Sequence, residues 1–185
     1  MPEIFDLKAL RSHLRAGGRA KYLFFWGHEP AVVGRLDEAC LSQWWPCELE
    51  LDGVHYPSAE HYMMAEKARL FGDGASLDKI ISARHPGEAK HFGRQVAGFN
   101  ETVWQQHRVQ LVFRGNLAKF GQDDELKRYL LSTKSRILVE ASPVDRIWGI
   151  GLAADNPKAV DPGRWRGLNL LGFELMRVRG RLMLS

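Results

Sequence analysis

The sequence changes character at Pro57, and this change constrains the fold more than any other feature. Before it, short runs typical of strands are bounded by glycine and proline: residues 21–26, residues 48–51 and, beyond a predicted Asp52-Gly53 turn, residues 54–56. After it, apolar residues recur at helical spacing. We therefore expect an α+β fold, in which a helix-rich core is accompanied by a few short strands.

Capping signals place the predicted helices. Ser58 is a good N-cap for a helix that runs to about Phe71, where Gly72 is a natural stop. Asn100 is expected to cap the longest helix, residues 100–120, with Glu101 in its first turn. The remaining predictions are helices over residues 7–14, 77–83, 87–96, 123–131 and 169–182, and a β-branched strand over residues 137–140.

Length and composition limit the class of protein. A chain of 185 residues has room for one good core, so we expect one domain over residues 1–185. No apolar run approaches the ~18–20 residues that span a bilayer, and the N-terminus has no targeting pattern, which predicts a cytoplasmic protein with no membrane contact. Cys40 and Cys47 form no C-x-x-C pair, so two reduced thiols are expected, and the scattered histidines predict no metal site.

The charge balance is mildly basic, with 26 Lys and Arg against 22 Asp and Glu. Arginine outnumbers lysine 17 to 9, and its planar guanidinium suits phosphate recognition. A net charge of +4 is nevertheless more typical of an ordinary solvated surface. The balance therefore permits a phosphate-bearing or nucleic-acid substrate without requiring one.

The predicted helix after Ser58 carries the most suggestive pattern of side chains. Glu60, Met64 and Lys67 lie at i, i+4 and i+7, so they share one helix face. In one interpretation Glu60 merely favours the helix dipole and Lys67 is a solvated cation. In the other, both face a cavity, where desolvation lowers the pKa of the lysine and raises that of the glutamate.

Residues 148–167 form an unusually long predicted loop, and such loops are usually functional. Trp148-Gly149-Ile150-Gly151 places an aromatic ring beside two glycines that let backbone approach a ligand closely. Asn169 is expected to cap the last helix, whose N-terminus would favour an anion. The alternative is a structured surface loop whose tryptophans plug the core. Further candidate groups in this region are the carboxylates of Asp145, Asp155 and Asp161 and a second stacking surface at Trp165.

Trp44 and Trp45 are adjacent, so both cannot enter a core from an extended segment. One of them can line a pocket and stack on a base, or cover the edge of the core. Nucleophile and phosphate-loop motifs such as G-x-S-x-G and the Walker sequence are absent from the sequence. Without any resemblance to a known family, the residues therefore predict no more than a pocket lined by Glu, Lys, Trp and Asp side chains.

These segments together resemble the YbiA-like, or NADAR, family. The resemblance rests on E-H-Y-x4-K at residues 60–67, K-H-F-G-R-Q-V at 90–96, Trp104, Lys119-Phe120, W-G-x-G at 148–151 and N-x-L-G at 169–172. It extends from about residue 20 to 183, and residues 1–20 are an extension of unclear role. Where the family often has Asn-Phe, this chain has Gln43-Trp44, a longer amide and a larger ring that would reshape the pocket.

The resemblance implies an N-glycosidase without metal or organic cofactor. Its substrate carries a phosphorylated ribose on an amine outside a heterocyclic ring. The first expectation is ADP-ribose on guanine in DNA, with a toxin ADP-ribosyltransferase as partner in an antitoxin-like system. The second is a phosphoribosylamino-pyrimidine of riboflavin synthesis. A non-catalytic module that binds ADP-ribose or a nucleotide is the alternative, and a nucleic-acid-binding module is a third hypothesis.

The resemblance also suggests roles for individual residues. Lys67 would attack the ribose C1 and form a Schiff base, while Glu60 moves protons. Asp155 would be a second acid or base, or would bind a ribose hydroxyl. In a rival mechanism Glu60 and Asp155 act as general base and acid without a covalent step. The predicted substrate-binding residues are Trp44, His61, Arg94, Trp104, Trp148, Gly149 and Asn169, with Trp104 and Trp148 on the leaving base and Arg94 and Asn169 on phosphate.

Overall fold

The computed structural model describes residues 4–184 and contains two compact units. The first unit combines the chain up to Ser42 with the chain from Glu125 onward, and the second unit is Gln43–Asp124. The expectation of one domain over the whole chain stays a prediction. Within the described residues, no helix is both long and apolar enough to cross a membrane.

Seven α-helices and four short strands account for the regular structure of residues 4–184, which confirms the α+β class. The helices are α1 (Leu7–Arg15), α2 (Ala59–Leu70), α3 (Gly74–Ser82), α4 (Pro86–Arg94), α5 (Glu101–Gly121), α6 (Asp124–Ser132) and α7 (Leu170–Leu182). The strands are β1 (Tyr22–Phe25), β2 (Leu49–Leu51), β3 (Val54–Tyr56) and β4 (Ile137–Glu140). Two 3₁₀ turns add Glu38–Leu41 and Pro162–Arg164.

The first unit is built around a parallel pair of strands. β1 pairs with β4 in the register Tyr22 to Ile137 through Phe25 to Glu140. α7 packs on β4 so closely that a Cβ atom at Gly172 would lie 2.0 Å from the Leu138 carbonyl oxygen. This glycine therefore sets the distance between the last helix and the strand pair.

The second unit opens with an antiparallel hairpin, β2 and β3. Its turn is the predicted Asp52-Gly53, and both residues have positive φ, 54° and 76°, as a two-residue hairpin turn of type I′ requires. The Oγ of Ser58 accepts the N–H of His61 at 3.3 Å, so the predicted N-cap of α2 is confirmed. The helix ends at Leu70, before Gly72 with φ 69°.

Glycines let two helices approach α2 closely. A Cβ atom at Gly93 of α4 would lie 2.1 Å from the Met64 sulfur, and one at Gly115 of α5 would lie 2.5 Å from Cδ1 of Tyr62. Because of these contacts, residues 59–65 of α2 are all buried, and the helix is enclosed rather than amphipathic.

The starts of α3 and α4 differ from the predictions, as does that of α6 by one residue. α3 begins at Gly74 rather than residue 77, because the carboxylate of Asp73 accepts the N–H groups of Ser76 (3.0 Å) and Ala97 (2.8 Å). Those bonds hold the pKa of Asp73 down at about 2, mainly through Ser76. α4 begins at Pro86, with the ring of His85 as the cap.

Candidate active site

The amine of Lys67 lies among residues of α4, of α5 and of the segment that joins these two helices. Its Nζ donates to the backbone oxygen of Gly93 at 2.7 Å. The same atom is 4.1 Å from the ring centroid of Phe99 and 5.8 Å from that of Trp104. The lysine is thus half-buried against aromatic rings, and the interpretation as a freely solvated cation is wrong.

Burial lowers the pKa of Lys67 below its ordinary value, because desolvation penalises the charged ammonium. The charge of Arg94 lowers this pKa further, whereas those of Glu101 and Glu60 raise it. The direction is the one that the cavity hypothesis requires. A lowered pKa means that a larger fraction of Lys67 is the neutral, nucleophilic amine than on an exposed lysine.

Glu60 stands at the start of α2 with only 3% of its surface exposed. Its backbone N–H donates to the carbonyl oxygen of Gln43 at 2.9 Å. The amide of Gln43 is buried in turn, and its Oε1 accepts from Asn116 of α5 at 2.8 Å. The glutamine that distinguishes this chain therefore fixes the backbone from which the carboxylate of Glu60 projects.

One face of α5 forms the other wall of the site. Glu101, Trp104 and Arg108 lie at i, i+3 and i+7, so they share that face. Trp104 is buried, as is Arg108, of which 8% is exposed. Nη1 of Arg108 is 3.6 Å from the carboxylate of Glu101, and its Nε has no hydrogen-bond partner within the described chain.

His61 is held by the protein on both sides of its ring. Nε2 donates to the oxygen of Ala83 at 3.2 Å, so Nδ1 accepts the hydroxyl of Ser58 at 2.7 Å. Burial lowers the pKa of His61, which favours the neutral ring. Both ring nitrogens are therefore bound within the protein, which argues against the prediction that His61 is a substrate ligand.

Trp44 and Arg94 keep a surface that a ligand can reach. Trp44 is partly exposed and meets the ring of His85 edge-on at 5.6 Å, while the Nζ of Lys90 is 5.7 Å from its ring. Arg94 is exposed in the last turn of α4, near enough to Lys67 to affect its pKa. The roles of Trp44 and Arg94 as substrate ligands stay predictions.

The W-G-x-G segment belongs to the first unit and is a close backbone packing. The carboxylate of Asp145 accepts the N–H of Trp148 at 2.8 Å, and Ile150 donates to the carbonyl oxygen of Glu140 at 2.9 Å. A Cβ atom at Gly149 would lie 2.8 Å from that same oxygen, so this position requires glycine. The ring of Trp148 stays partly exposed, and its role in stacking stays a prediction.

Trp165 is not a second stacking surface. The ring is buried, and its indole N–H donates to the oxygen of Ala159 at 2.8 Å. It meets Tyr22 edge-on at 6.3 Å. For this tryptophan, the alternative of a ring that plugs the core is correct.

Asn169 precedes α7 but does not cap it with its side chain, so that prediction is wrong. Its φ is 56°, and the fully buried amide accepts from the N–H of Glu140 and donates to the oxygen of Leu138, both at 2.9 Å. The fully buried side chain thus joins β4 to α7, and its two hydrogen bonds are made within the protein rather than to a phosphate.

Comparisons with known proteins agree with this architecture. The NADAR domain family matches residues 24–183. The chain belongs to the NADAR family. N-glycosidase R617 of Acanthamoeba polyphaga mimivirus is 42% identical over 164 residues, which cover 86% of this chain and 95% of that protein.

Two further NADAR relatives carry names that bear on chemistry. The NMR structure of Escherichia coli YbiA, a protein named as an N-glycosidase, matches with a TM-score of 0.72 and 27% identity, covering 90% of this chain and 87% of that one. The chloroplastic riboflavin biosynthesis protein PYRR of Zea mays is 33% identical over 139 residues, which cover 71% of this chain and 20% of PYRR.

The second unit of this NADAR protein brings together four of the predicted residues: Glu60, Lys67, Arg94 and Trp104. In the first unit, Asn169 donates its N–H to the oxygen of Gly149 at 3.1 Å. Asp155 lies in the same unit and is exposed, and its catalytic role stays a prediction.

Sequence reasoning missed Gly93, Phe99, Glu101 and Arg108 as parts of the site. The i, i+3, i+7 spacing around Trp104 was the available signal for two of them. A separate cavity of about 460 Å³ lies in the first unit, and none of the predicted site residues lines it. Its lining residues are Asp6, Leu7, Lys8, Arg11, Arg15, Leu168 and Leu170.

Proposed function

We propose that this NADAR protein is an N-glycosidase that removes ADP-ribose from the exocyclic amine of guanine in DNA. The observation that carries the proposal is the amine of Lys67. It is half-buried beside aromatic rings, its pKa is lowered by burial, and two carboxylates, Glu60 and Glu101, act on it. The names of the relatives support glycosidase chemistry, and the resemblance supports the DNA substrate.

A nucleophilic lysine suits a ribose attached to an exocyclic amine. Such a riboside opens to an imine between C1 and the base nitrogen. The neutral amine of Lys67 adds to C1, and Glu60 supplies the proton on the base nitrogen. The bond between C1 and that nitrogen then breaks, leaving a Schiff base between C1 and Nζ. Water adds to this Schiff base, and collapse of the adduct releases the sugar aldehyde and regenerates the amine.

The lowered pKa of Lys67 matters because only the neutral amine attacks. An ordinary lysine is neutral in roughly one molecule in 3,000 at pH 7, and each unit by which its pKa falls raises that share about tenfold. The bond from Nζ to the oxygen of Gly93 uses one N–H and turns the lone pair of the neutral amine away from that carbonyl. Trp104, in the wall beside it, offers a ring on which the leaving base can stack.

The rival mechanism uses no covalent intermediate, with Glu60 and Asp155 as general base and acid. Reduction with borohydride during turnover discriminates between the two. We expect a reduced adduct on Lys67, located by peptide mass spectrometry, and none in the Lys67→Ala protein. The matched control is Lys79→Ala, an exposed lysine of α3, which should trap normally. Full activity without any adduct at saturating substrate would exclude the Schiff base.

The substrate is tested directly by mass spectrometry of released sugar. The protein is incubated with DNA carrying ADP-ribosyl-guanine and, in parallel, with a phosphoribosylamino-pyrimidine, each with the Lys67→Ala and Glu60→Gln variants. Release from the DNA is expected. Release from the pyrimidine alone would favour the second candidate, which the similarity to PYRR supports. If neither releases sugar while ADP-ribose binds, the protein is a reader rather than an enzyme.

A further inference from the structure

Arg108 is a buried charged group in the wall of the site whose donors are incompletely satisfied. A guanidinium stays charged in proteins and presents five N–H donors. About nine-tenths of this side chain is withdrawn from solvent. Buried donors normally have acceptors, because an unpaired buried donor destabilises the folded state.

The protein supplies Arg108 with one partner among the described residues. That partner is the carboxylate of Glu101, and the separation of 3.6 Å from Nη1 is longer than a hydrogen bond. Nε has no acceptor at all within residues 4–184. Glu101 itself is half-exposed, with 53% of its side chain in solvent, so this ion pair can open without loss of packing.

Arg108 is connected to the amine of Lys67 through two residues of its own helix, Trp104 and Glu101. It follows Trp104 by one helical turn, and the ring of Trp104 faces the Nζ of Lys67 at 5.8 Å. Glu101 connects the two cations, since it pairs with Arg108 and its charge also acts on Lys67. An anion bound at Arg108 would therefore lie one turn along α5 from Trp104, whose ring faces the amine of Lys67.

We propose that Arg108 binds the phosphate on the 5-position of the ribose whose C1 is attacked by Lys67, with Glu101 as the counter-ion that the phosphate displaces. A planar guanidinium gives phosphate two parallel hydrogen bonds, and a buried one gives them in a site of low dielectric. The inference rests on the proposed function, in which C1 of the substrate's ribose is brought to the amine of Lys67. Because ADP-ribosyl and phosphoribosyl substrates share this phosphate, the assignment holds for both.

Binding of ribose 5-phosphate, measured by calorimetry without turnover, tests the proposal. Arg108→Gln should weaken its binding by about 10- to 100-fold, the range expected for charge-assisted hydrogen bonds, and should leave the much weaker binding of ribose unchanged. Arg108→Lys should fall between, since a point charge loses the two-bond geometry. The matched control on the same helix is Arg114→Gln, whose guanidinium pairs with Asp52 at 2.7 Å, and it should bind as the unaltered protein does.

A second variant keeps the test valid if Arg108→Gln fails to fold. Glu101→Gln removes the competing carboxylate and should tighten the binding of ribose 5-phosphate several-fold. Unchanged binding in Glu101→Gln, or equal losses of ribose and ribose 5-phosphate in a folded Arg108→Gln protein, would overturn the assignment. Phosphate-dependent binding that disappears with Arg108, in a protein that releases no sugar, would refute the proposed function and leave this subsite standing.

Discussion

The N-x-L-G motif at the start of α7 is expected to act through packing, and two glycines of one helix test this. At Gly172 a Cβ atom would lie 2.0 Å from the oxygen of Leu138 and within 2.7 Å of the amide of Asn169. At Gly180 nothing lies within 4 Å of the corresponding position. Gly172→Ala and Gly180→Ala therefore make the same chemical change in crowded and in open surroundings.

The two variants should change the free energy of unfolding in opposite directions. Both gain roughly 0.5–1 kcal/mol because alanine loses less backbone entropy in a helix than glycine does. For Gly180→Ala that is the whole effect. For Gly172→Ala, α7 must withdraw from a backbone oxygen, an overpacking that costs about 1–3 kcal/mol. Disturbing the two hydrogen bonds of Asn169 adds about 1 kcal/mol each, so the net loss is about 2–4 kcal/mol.

Thermal unfolding followed by circular dichroism measures both effects. For a chain of this size each kcal/mol moves the Tm by about 2–4 °C. Gly180→Ala should thus raise the Tm by roughly 1–4 °C, and Gly172→Ala should lower it by roughly 5–15 °C. A Gly172→Ala protein as stable as the unaltered one, but impaired in releasing sugar, would refute the packing argument. It would indicate instead that the N-x-L-G motif contacts the substrate.

Three predictions concern pH. The value of kcat/KM should rise with pH as Lys67 loses its proton. Glu101→Gln should move that rise to lower pH, because Glu101 raises the pKa of Lys67, and Arg94→Gln should move it to higher pH, because Arg94 lowers that pKa. Shifts of both variants in the same direction would contradict the assigned charges. Burial raises the pKa of Glu174 to about 7. The folded state is therefore fully stabilised by the neutral carboxyl below pH 4.5 and loses that stabilisation as the pH rises through 7. Glu174→Gln should raise the Tm at pH 8.5 and barely change it at pH 4. Asp73, with a pKa of about 2, stabilises the fold above pH 3.8 and ceases to do so as the pH falls through 2. Asp73→Asn should therefore lower the Tm at pH 7 and not at pH 1.5. Equal losses of Tm at both pH values would show that the charge of Asp73 is irrelevant to stability.

Local signals in the sequence predicted local structure well. Ser58 and Asn100 cap α2 and α5 because each cap bonds an N–H only three residues ahead. Asp52-Gly53 forms its turn because the requirement for positive φ is carried by those two residues alone. The shared face of Glu60 and Lys67 followed from helix geometry for the same reason.

Features that depend on distant partners were beyond the reach of the sequence. Asn169 was expected to cap α7, but its amide is bound by the backbone of β4, about thirty residues earlier. The start of α3 was missed although its cap is local, since Asp73 accepts the N–H of Ser76 three residues ahead; only the second bond of Asp73, to Ala97 24 residues away, needed the structure. Arg108 was missed although helical spacing puts it on the face of Trp104, because only the structure shows that the guanidinium is buried with a single long ion pair.

The surroundings of Lys67 are determined by glycines outside the E-H-Y-x4-K motif. At Gly93 the absence of a side chain lets the backbone of α4 reach Met64, and this same approach brings the Gly93 oxygen to 2.7 Å from the lysine amine. At Gly115 it lets α5 close on Tyr62 from the other side. The motif supplies the reacting groups, whereas the desolvation that lowers the pKa of Lys67 comes from helices that only small residues allow so near. A chain that kept the motif and replaced Gly93 would retain the lysine while losing its environment, so the motif alone is insufficient evidence for the chemistry.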